Sequence, residues 1–392
     1  LKIYDIPVLY FPKFFHPDPS VKRRSGFLQP QFNNSETLGS SLYIPYFKTL
    51  SHDKDLTFKP TLFEKLKKNL KNPKKLLKEG FFEKEKYLLQ TEFRKQNKDS
   101  FLIADLGMLR DYRSSADNKT KNVNHLFLDY KHDLKFTNYL ESRFDLQIER
   151  VTNDTYLKVF DSVLPKSSVM PESQTSMNSN LKFYLDKENQ NLSTGIEVYE
   201  ALGSSPNDRY QYTFPYYDFS KDLSSIISKN SIEGSIDFFS TGKNTLSNTN
   251  NLRTTIVNDL NYNSPDFISN TGFKNNFNLY FKNLNSQGKN DSTYTSNTQI
   301  DGMSILKIDT ILPLSKSNNN SEETLTPKIS FRVNPGNNMD NYGTTSAVID
   351  ANGAFDINRL GIANSFEAGK SLTFGLDYKF DQIERDQTED LS

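Results

Sequence analysis

The sequence predicts an all-β chain of consecutive antiparallel hairpins, and three observations carry that reading. Alternating apolar and polar runs of roughly eight to twelve residues recur along the 392 residues, separated by spans rich in Asn, Ser, Asp, Gly and Lys. Helical periodicity is confined to "LFEKLKKNLKNPKKLLKEGFF" (62–82), where Leu62, Leu66, Leu70, Leu76 and Leu77 keep a helix-like spacing that Pro73 interrupts. No run of about eighteen apolar residues is present, so the sequence holds no transmembrane helix. Mean hydropathy is low, but 30 Phe and 20 Tyr argue for a folded chain rather than a disordered one.

Taken in order, the runs begin with "SLYIPYF" (41–47) and "DLTFKPTLF" (55–63). "EKYLLQTEFRKQ" (85–96), "FLIADLGMLRDY" (101–112), "VNHLFLDYKHDLK" (123–135) and "RFDLQIERV" (143–151) follow. "NLKFYLDKE" and "STGIEVYEAL" come next, joined by "NQNL". The last six are "EGSIDFFSTG", "NLRTTIVNDLNY", "NFNLYFKNLNS", "SILKIDTILPL", "TPKISFRVNPG" and "SLTFGLDYKFD". In "NLKFYLDKE", Leu181, Phe183 and Leu185 share one face, and Lys182, Tyr184 and Asp186 the other.

Two architectures suit this pattern: a soluble sandwich or barrel, and a transmembrane β-barrel. Strand length favours the membrane form, because a tilted spanning strand needs about nine to eleven residues. A soluble antiparallel sheet shows the same alternation. Phe214, Tyr216, Tyr217 and Phe219 stand near expected strand ends, where interfacial girdle residues or ordinary packing both account for them.

Forty-eight basic residues balance forty-eight acidic ones, so a nucleic-acid partner is not indicated. There is no Cys, hence neither a disulfide framework nor a thiolate metal site in this sequence. His16, His52, His125 and His132 are scattered. His125 and His132 are seven apart on one expected strand, which places them on opposite faces and argues against a shared metal. "NDTYLKVFD" (153–161) looks organised but offers no nucleophile with a base, and no nucleophile elbow or phosphate loop occurs. The expectation is a non-enzyme without a cofactor.

The most distinctive stretch is "IPVLYFPKFFHPDPSVKRRSGFLQPQF" (6–32). It holds Pro7, Tyr10 and Pro12, then Arg23-Arg24-Ser25-Gly26-Phe27-Leu28 and Pro30. "YIPYF" (43–47), "HDKDLTFKPTLF" (52–63) and "TEFR" (91–94) come next. Together these resemble the junction region of the LptD (organic solvent tolerance) family of lipopolysaccharide-assembly proteins. "RFDLQIERVTNDTYLKVF" and "TLTPKISFRVNPG" extend the resemblance along the chain in looser form.

The resemblance implies the end of a periplasmic β-jellyroll and a hinge over residues 1–24. Residues 25–392 would then be the N-terminal part of an outer-membrane β-barrel, about fifteen to eighteen strands at the hairpin spacing seen here. Residue 1 is Leu; a segment truncated at both ends is expected. The implied function is lipopolysaccharide delivery into the outer leaflet through a lateral gate between the first and last strands. Implied partners are lipopolysaccharide, the plug lipoprotein LptE and the periplasmic bridge LptA.

Under that resemblance Pro30 and Pro45 weaken the gate, since proline donates no ladder hydrogen bond. Taken alone they read as an edge-strand start and a bulge. Lys22, Arg23, Arg24 and Gly26 form the hinge, with phosphate contact and interfacial anchoring as alternative roles for the cations. Ile6, Val8, Tyr10 and Phe11 are candidates to line an acyl-chain path or to pack a jellyroll core. The insert carrying Lys65, Lys67, Lys68, Lys71, Lys74, Lys75 and Lys78 would face the cell exterior, as a phosphate-meeting or simply solvated loop. A porin or receptor barrel and a soluble β-sandwich module remain the alternative readings.

Overall fold

The computed structural model describes residues 2–3, 6–7, 23–35, 38–64, 86–113, 120–161, 163–164, 167–229, 232–318, 321–339 and 348–382. The chain divides into two compact units: Leu1–Tyr130 with Ile148–Gln174, and Lys131–Gln147 with Thr175–Ser392.

The first unit opens with a short hairpin, β1 (Lys2–Ile3) on β2 (Ile6–Pro7). β3 (Gly26–Phe27), β4 (Gln31–Ser35), β5 (Gly39–Tyr43) and β6 (Tyr46–Ser51) follow. Next come β7 (Lys54–Glu64), β8 (Lys86–Gln96) and β9 (Ser100–Arg113). β10 (Thr120–Asp133) and β11 (Glu141–Val151) each contribute to both units. A five-residue helix, α1 (Tyr156–Phe160), buries Tyr156, Leu157 and Phe160 in the first unit.

The second unit is a longer meander. It runs through β12 (Ser176–Lys187), β13 (Gln190–Ala201) and β14 (Tyr210–Asp222), then α2 (Ser224–Ser228). β15 (Ser235–Ser247), β16 (Asn251–Asn263), β17 (Phe267–Ile268) and β18 (Lys274–Lys289) follow. β19 (Gln299–Ile311), β20 (Leu314–Asn318), β21 (Ser321–Asn334) and β22 (Gly369–Gln382) complete it. Pairing is antiparallel throughout, from β12 on β13 to β21 on β22.

Several short strands are halves of one path. β16 and β17 both pair with β18 across a break holding Pro265, and β19 and β20 both pair with β21 across Pro313. Proline cannot donate to the ladder, so the path interrupts there. β3 with β4 and β5 with β6 are broken the same way. Rejoining those four pairs reduces the twenty described sheet strands to sixteen paths, within the range the hairpin spacing implies.

The two faces of the sheet have opposite chemistry, and the polar one is inside. On β7, Asp55, Thr57, Lys59 and Thr61 are buried, while Phe58 and Leu62 are exposed. On β22, Leu372, Phe374, Leu376, Tyr378 and Phe380 form an exposed row, with Phe374 68% and Leu376 63% accessible. Opposite them on β21, Ser330, Arg332 and Asn334 are buried, while Ile329 and Phe331 face outward. A soluble sheet hides its apolar face. An apolar exterior over a polar interior is the arrangement of a membrane β-barrel, and the fold is all-β of that class.

The alternation read from "NLKFYLDKE" holds, with Phe183 opposite Phe144 at a ring separation of 5.1 Å. One placement is corrected. Phe214, Tyr216, Tyr217 and Phe219 lie inside β14, not near a strand end. A register shift between Thr213 and Tyr216 lets Thr213 and Tyr216 both be buried.

Candidate functional site

Two features of the first unit meet at one place: a ladder interrupted by proline and a chain of buried charges. Pro30 falls between β3 and β4, and Pro45 between β5 and β6. Phe27 stands opposite Tyr46, whereas Gln31 stands opposite Tyr43, so the first path carries one extra residue across the break, a bulge at Gln29–Pro30. On the other side of Pro45 the register does not shift: Tyr43 faces Thr61 and Tyr46 faces Phe58.

The bonds that remain show what proline removes. The Leu28 N–H donates to the Pro45 carbonyl at 2.9 Å, and the Ile44 N–H to the Pro60 carbonyl at 3.2 Å. A hydrogen-bonded antiparallel pair exchanges two such bonds. Pro45 and Pro60 have no N–H to return, so each pair keeps one of two. Three neighbouring paths thus carry Pro30, Pro45 and Pro60 at one level. Pro60, part of "DLTFKPTLF", was not singled out in the sequence, yet it withdraws a donor just as Pro45 does.

The hinge residues divide. The Arg23 guanidinium donates to Asp55 at 2.6 Å and lies over the Phe47 ring at 5.6 Å. Arg24 is exposed and has no ion pair among the described residues. Gly26 pairs with Phe47 as ordinary strand, outside the left-handed backbone region and with open space where a Cβ would stand. A need for glycine's special angles is therefore not met at this position. Ile6 is described only through its pairing with Ile3. Lys22, Val8, Tyr10, Phe11 and the lysine-rich insert lie outside the described residues.

Beyond Asp55 the charges continue across the buried face. The Arg94 Nε donates to Asp55 at 2.8 Å and stands 3.6 Å from Glu92. The Lys59 Nζ donates to Glu92 at 2.6 Å and lies 3.7 Å from Asp105. Asp105 is fully buried and accepts from the Gln90 amide at 2.8 Å. The His125 Nε2 is 3.2 Å from Asp105, and its Nδ1 is 2.7 Å from the Tyr156 hydroxyl. In the neutral ring, Nε2–H donates to the carboxylate and Nδ1 accepts from Tyr156. Burial, with the charge of Asp105 second, pushes the Tyr156 hydroxyl far above its ordinary pKa, so it stays a donor.

Packing fixes the far end of this chain. The His125 ring stacks on Phe127 at 4.5 Å. A Cβ on Gly107 would sit 2.2 Å from that ring, so the glycine makes room for the histidine. Phe63 on β7 meets Phe160 of α1 at 6.5 Å. The nine-residue word around Tyr156 is thus an anchor for the connection that follows β11. The sequence signal for the charge chain was parity. Asp55 and Lys59, then Glu92 and Arg94, alternate with apolar neighbours and fall on one face of their strands.

Comparison with known proteins agrees with this architecture. The family model described as "LPS transport system D" (LptD) matches residues 124–392, more than half of the chain.

The chain belongs to the LptD family.

Among similar proteins, the LPS-assembly protein LptD of Shewanella denitrificans is 44% identical over 62 residues, 16% of this chain and 8% of its own. The LptD of Idiomarina loihiensis is 23% identical over 202 residues, 52% of this chain and 23% of its own. That of Pseudomonas aeruginosa is 25% identical over 246 residues, 57% of this chain and 24% of its own. The chain therefore spans at most about a quarter of these LptD relatives. The LptD match begins at Asn124, downstream of the three prolines and the hinge, so their place in the family rests on the words quoted from 6–94.

Proposed function

We propose that this chain is part of an outer-membrane lipopolysaccharide translocon. The polar face lines the path of the saccharide, and acyl chains leave sideways where the proline-interrupted strands yield. LptE as plug and LptA as periplasmic bridge are the partners this reading implies, with residues 1–24 on the periplasmic side. Membership of the LptD family supports transport at the outer membrane, and the inside-out sheet supports a spanning barrel.

One observation carries the mechanism: Leu28–Pro45 and Ile44–Pro60 each hold one hydrogen bond where two would form. Each missing bond lowers the cost of parting the strands by about 1 kcal/mol. The neighbouring wall is tied instead by the charge chain from Asp55 to Tyr156. A yielding segment beside a braced one confines opening to one place, and no bond chemistry is required of any residue.

The test is delivery of lipopolysaccharide between proteoliposomes by the full-length assembly. The double substitution Pro45→Ala, Pro60→Ala restores the two missing N–H donors, tightens the ladder of β3 to β7 and slows delivery. Delivery at the unmodified rate, with both residues confirmed in place, rejects the gate.

A further inference from the structure

The second unit carries a feature of its own on the buried face, in the connection between β21 and β22. Its described residues, 335–339 and 348–368, turn back onto the wall they leave. Met339 and Phe366 face each other across a bridge and exchange two backbone bonds, both of 2.8 Å. Together they cover an apolar pad of Val257, Leu284, Met303 and Ile305, set among the buried polar residues Asn278, Lys282 and Ser286. The Lys282 ammonium marks the margin of the pad, 5.8 Å from the Phe366 ring.

From the pad the segment runs down β21 and β22. The Arg332 Nε donates to the Ile357 carbonyl at 3.1 Å, and the Thr373 hydroxyl to the Ala354 carbonyl at 3.4 Å. Lower still, the Phe355 ring lies 4.5 Å from the Lys328 ammonium. Gly375 stands opposite Lys328, and a Cβ there would be 2.7 Å from that ring, so the glycine makes a berth for Phe355. Contacts thus extend from Asn334 to Lys328, roughly 20 Å of strand. The segment lies along the wall and is not a cap on its rim.

Its fastening is electrostatic. Glu367 accepts from Arg359 at 2.5 Å and pairs with Arg332 at 3.1 Å, one carboxylate between two guanidiniums. The Asn334 amide holds the Glu367 carbonyl at 3.0 Å. The fit is incomplete, however. Arg332 Nη2, Asn358 Oδ1, Glu367 Oε2 and Ser371 Oγ are buried with no hydrogen-bond partner among the described residues. A buried polar group short of a partner raises the free energy of the docked state. The pad and the shared carboxylate favour docking, and the four orphaned atoms oppose it.

We propose that residues 348–368 are a displaceable strap that keeps the polar interior of this wall closed to passing solutes, with Glu367 as its latch. This is a barrier function, separate from the yielding of β3 to β6. It rests on the reading of the buried face as a polar passage. Docked, the strap covers Ser330, Arg332 and Asn334; released, it returns them to water.

The experiment uses the full-length assembly. Hydrogen exchange in nanodiscs reads the strap, through the amides of Asp356, Ser365 and Phe366, which are bonded in the docked state. Potassium chloride conductance in planar bilayers reads the barrier. Glu367→Gln keeps the shape of the latch and removes its charge. Exchange of the strap amides then rises about tenfold, the loss of one charge-assisted contact, and open probability rises by the same factor. Gly375→Val unseats Phe355 without touching the latch and gives the same two changes. Gly302→Val, on β19 with no close neighbour at its Cβ, gives neither.

Heat-modifiable gel mobility reports whether each variant folds. If Gly375→Val fails to fold, Phe355→Ala, which empties the same berth, takes its place. Strap exchange unchanged in both kinds of variant overturns the proposal. Faster exchange with open probability unchanged also overturns it, because the strap then seals nothing. Lipopolysaccharide delivery by the same proteins keeps this apart from the transport reading. Unchanged exchange and conductance with delivery intact reject only the strap; no delivery by the unmodified assembly, with both strap changes observed, rejects only the transport reading.

Discussion

Lys59→Met is the sharpest perturbation of the buried charge chain. Lys59 bonds Glu92 at 2.6 Å and stands 3.7 Å from Asp105, with all three side chains 12% exposed or less. Removing the cation leaves two buried carboxylates, and breaking such a pair costs about 3–5 kcal/mol. The lower end applies, because Arg94 stays 3.6 Å from Glu92, and Asp105 keeps the Gln90 amide. The expected loss is about 3 kcal/mol. The double change Lys59→Met, Glu92→Met should recover more than half of it, since apolar replacement of both partners is often near neutral. The chain has no Trp, so urea unfolding in lipid vesicles is followed by far-UV circular dichroism and by gel mobility. A loss within about 0.5 kcal/mol, the range of an exposed pair, would refute the bracing role. So would a double variant no more stable than the single one.

Two further outcomes follow from the same geometry. Tyr156→Phe deletes the hydroxyl that bonds His125 at 2.7 Å while keeping the ring against Phe160. It should cost about 1 kcal/mol and loosen α1, raising ion conductance in planar bilayers; unchanged conductance removes α1 from the list of anchors. Asp291, in the connection after β18, gives a pH dependence. Burial alone would raise its carboxyl. Bonds from Arg253 and from the backbone N–H groups of Tyr294 and Thr293 outweigh that, and hold its pKa below the ordinary value. A depressed carboxyl stabilises fully above its unfolded pKa, about 3.9, and that contribution fades as pH falls through the folded value. Proteolysis of residues 290–298 should therefore rise between pH 5 and 3, conditions chosen to span about the ordinary carboxylate range, and Asp291→Asn should flatten the profile. A native profile as flat as that of the variant contradicts the assignment.

The strands were legible because period-two alternation survives in the sequence even when the sheet is inside out. β7, β8 and β9 begin and end within two residues of the runs read from 55–63, 85–96 and 101–112. β14 escaped that reading, since Phe214, Pro215, Tyr216 and Tyr217 crowd aromatics around a register shift and hide the alternation. α1 escaped it because five helical residues are too few to display a 3.6-residue period. Pro30 and Pro45 were recognisable as ladder gaps, but which bonds they remove depends on register, and register is not written in a single strand. The same holds for Asp55, Glu92, Asp105 and His125. Each is one polar residue on one strand, and only the pairing of β7, β8 and β9 brings the carboxylates to the cations between them.

Hydrogen exchange on the full-length protein in nanodiscs tests the central claim most directly, that the ladder of β3 to β6 is the yielding part of this wall. Amides of residues 26–35 and 39–51 should exchange at least about tenfold faster than those of β8 and the 100–110 part of β9, a difference of roughly 1.4 kcal/mol for the missing bonds. The double substitution Pro45→Ala, Pro60→Ala should bring the two sets together. Equal protection of the two sets in the unmodified protein would contradict the account.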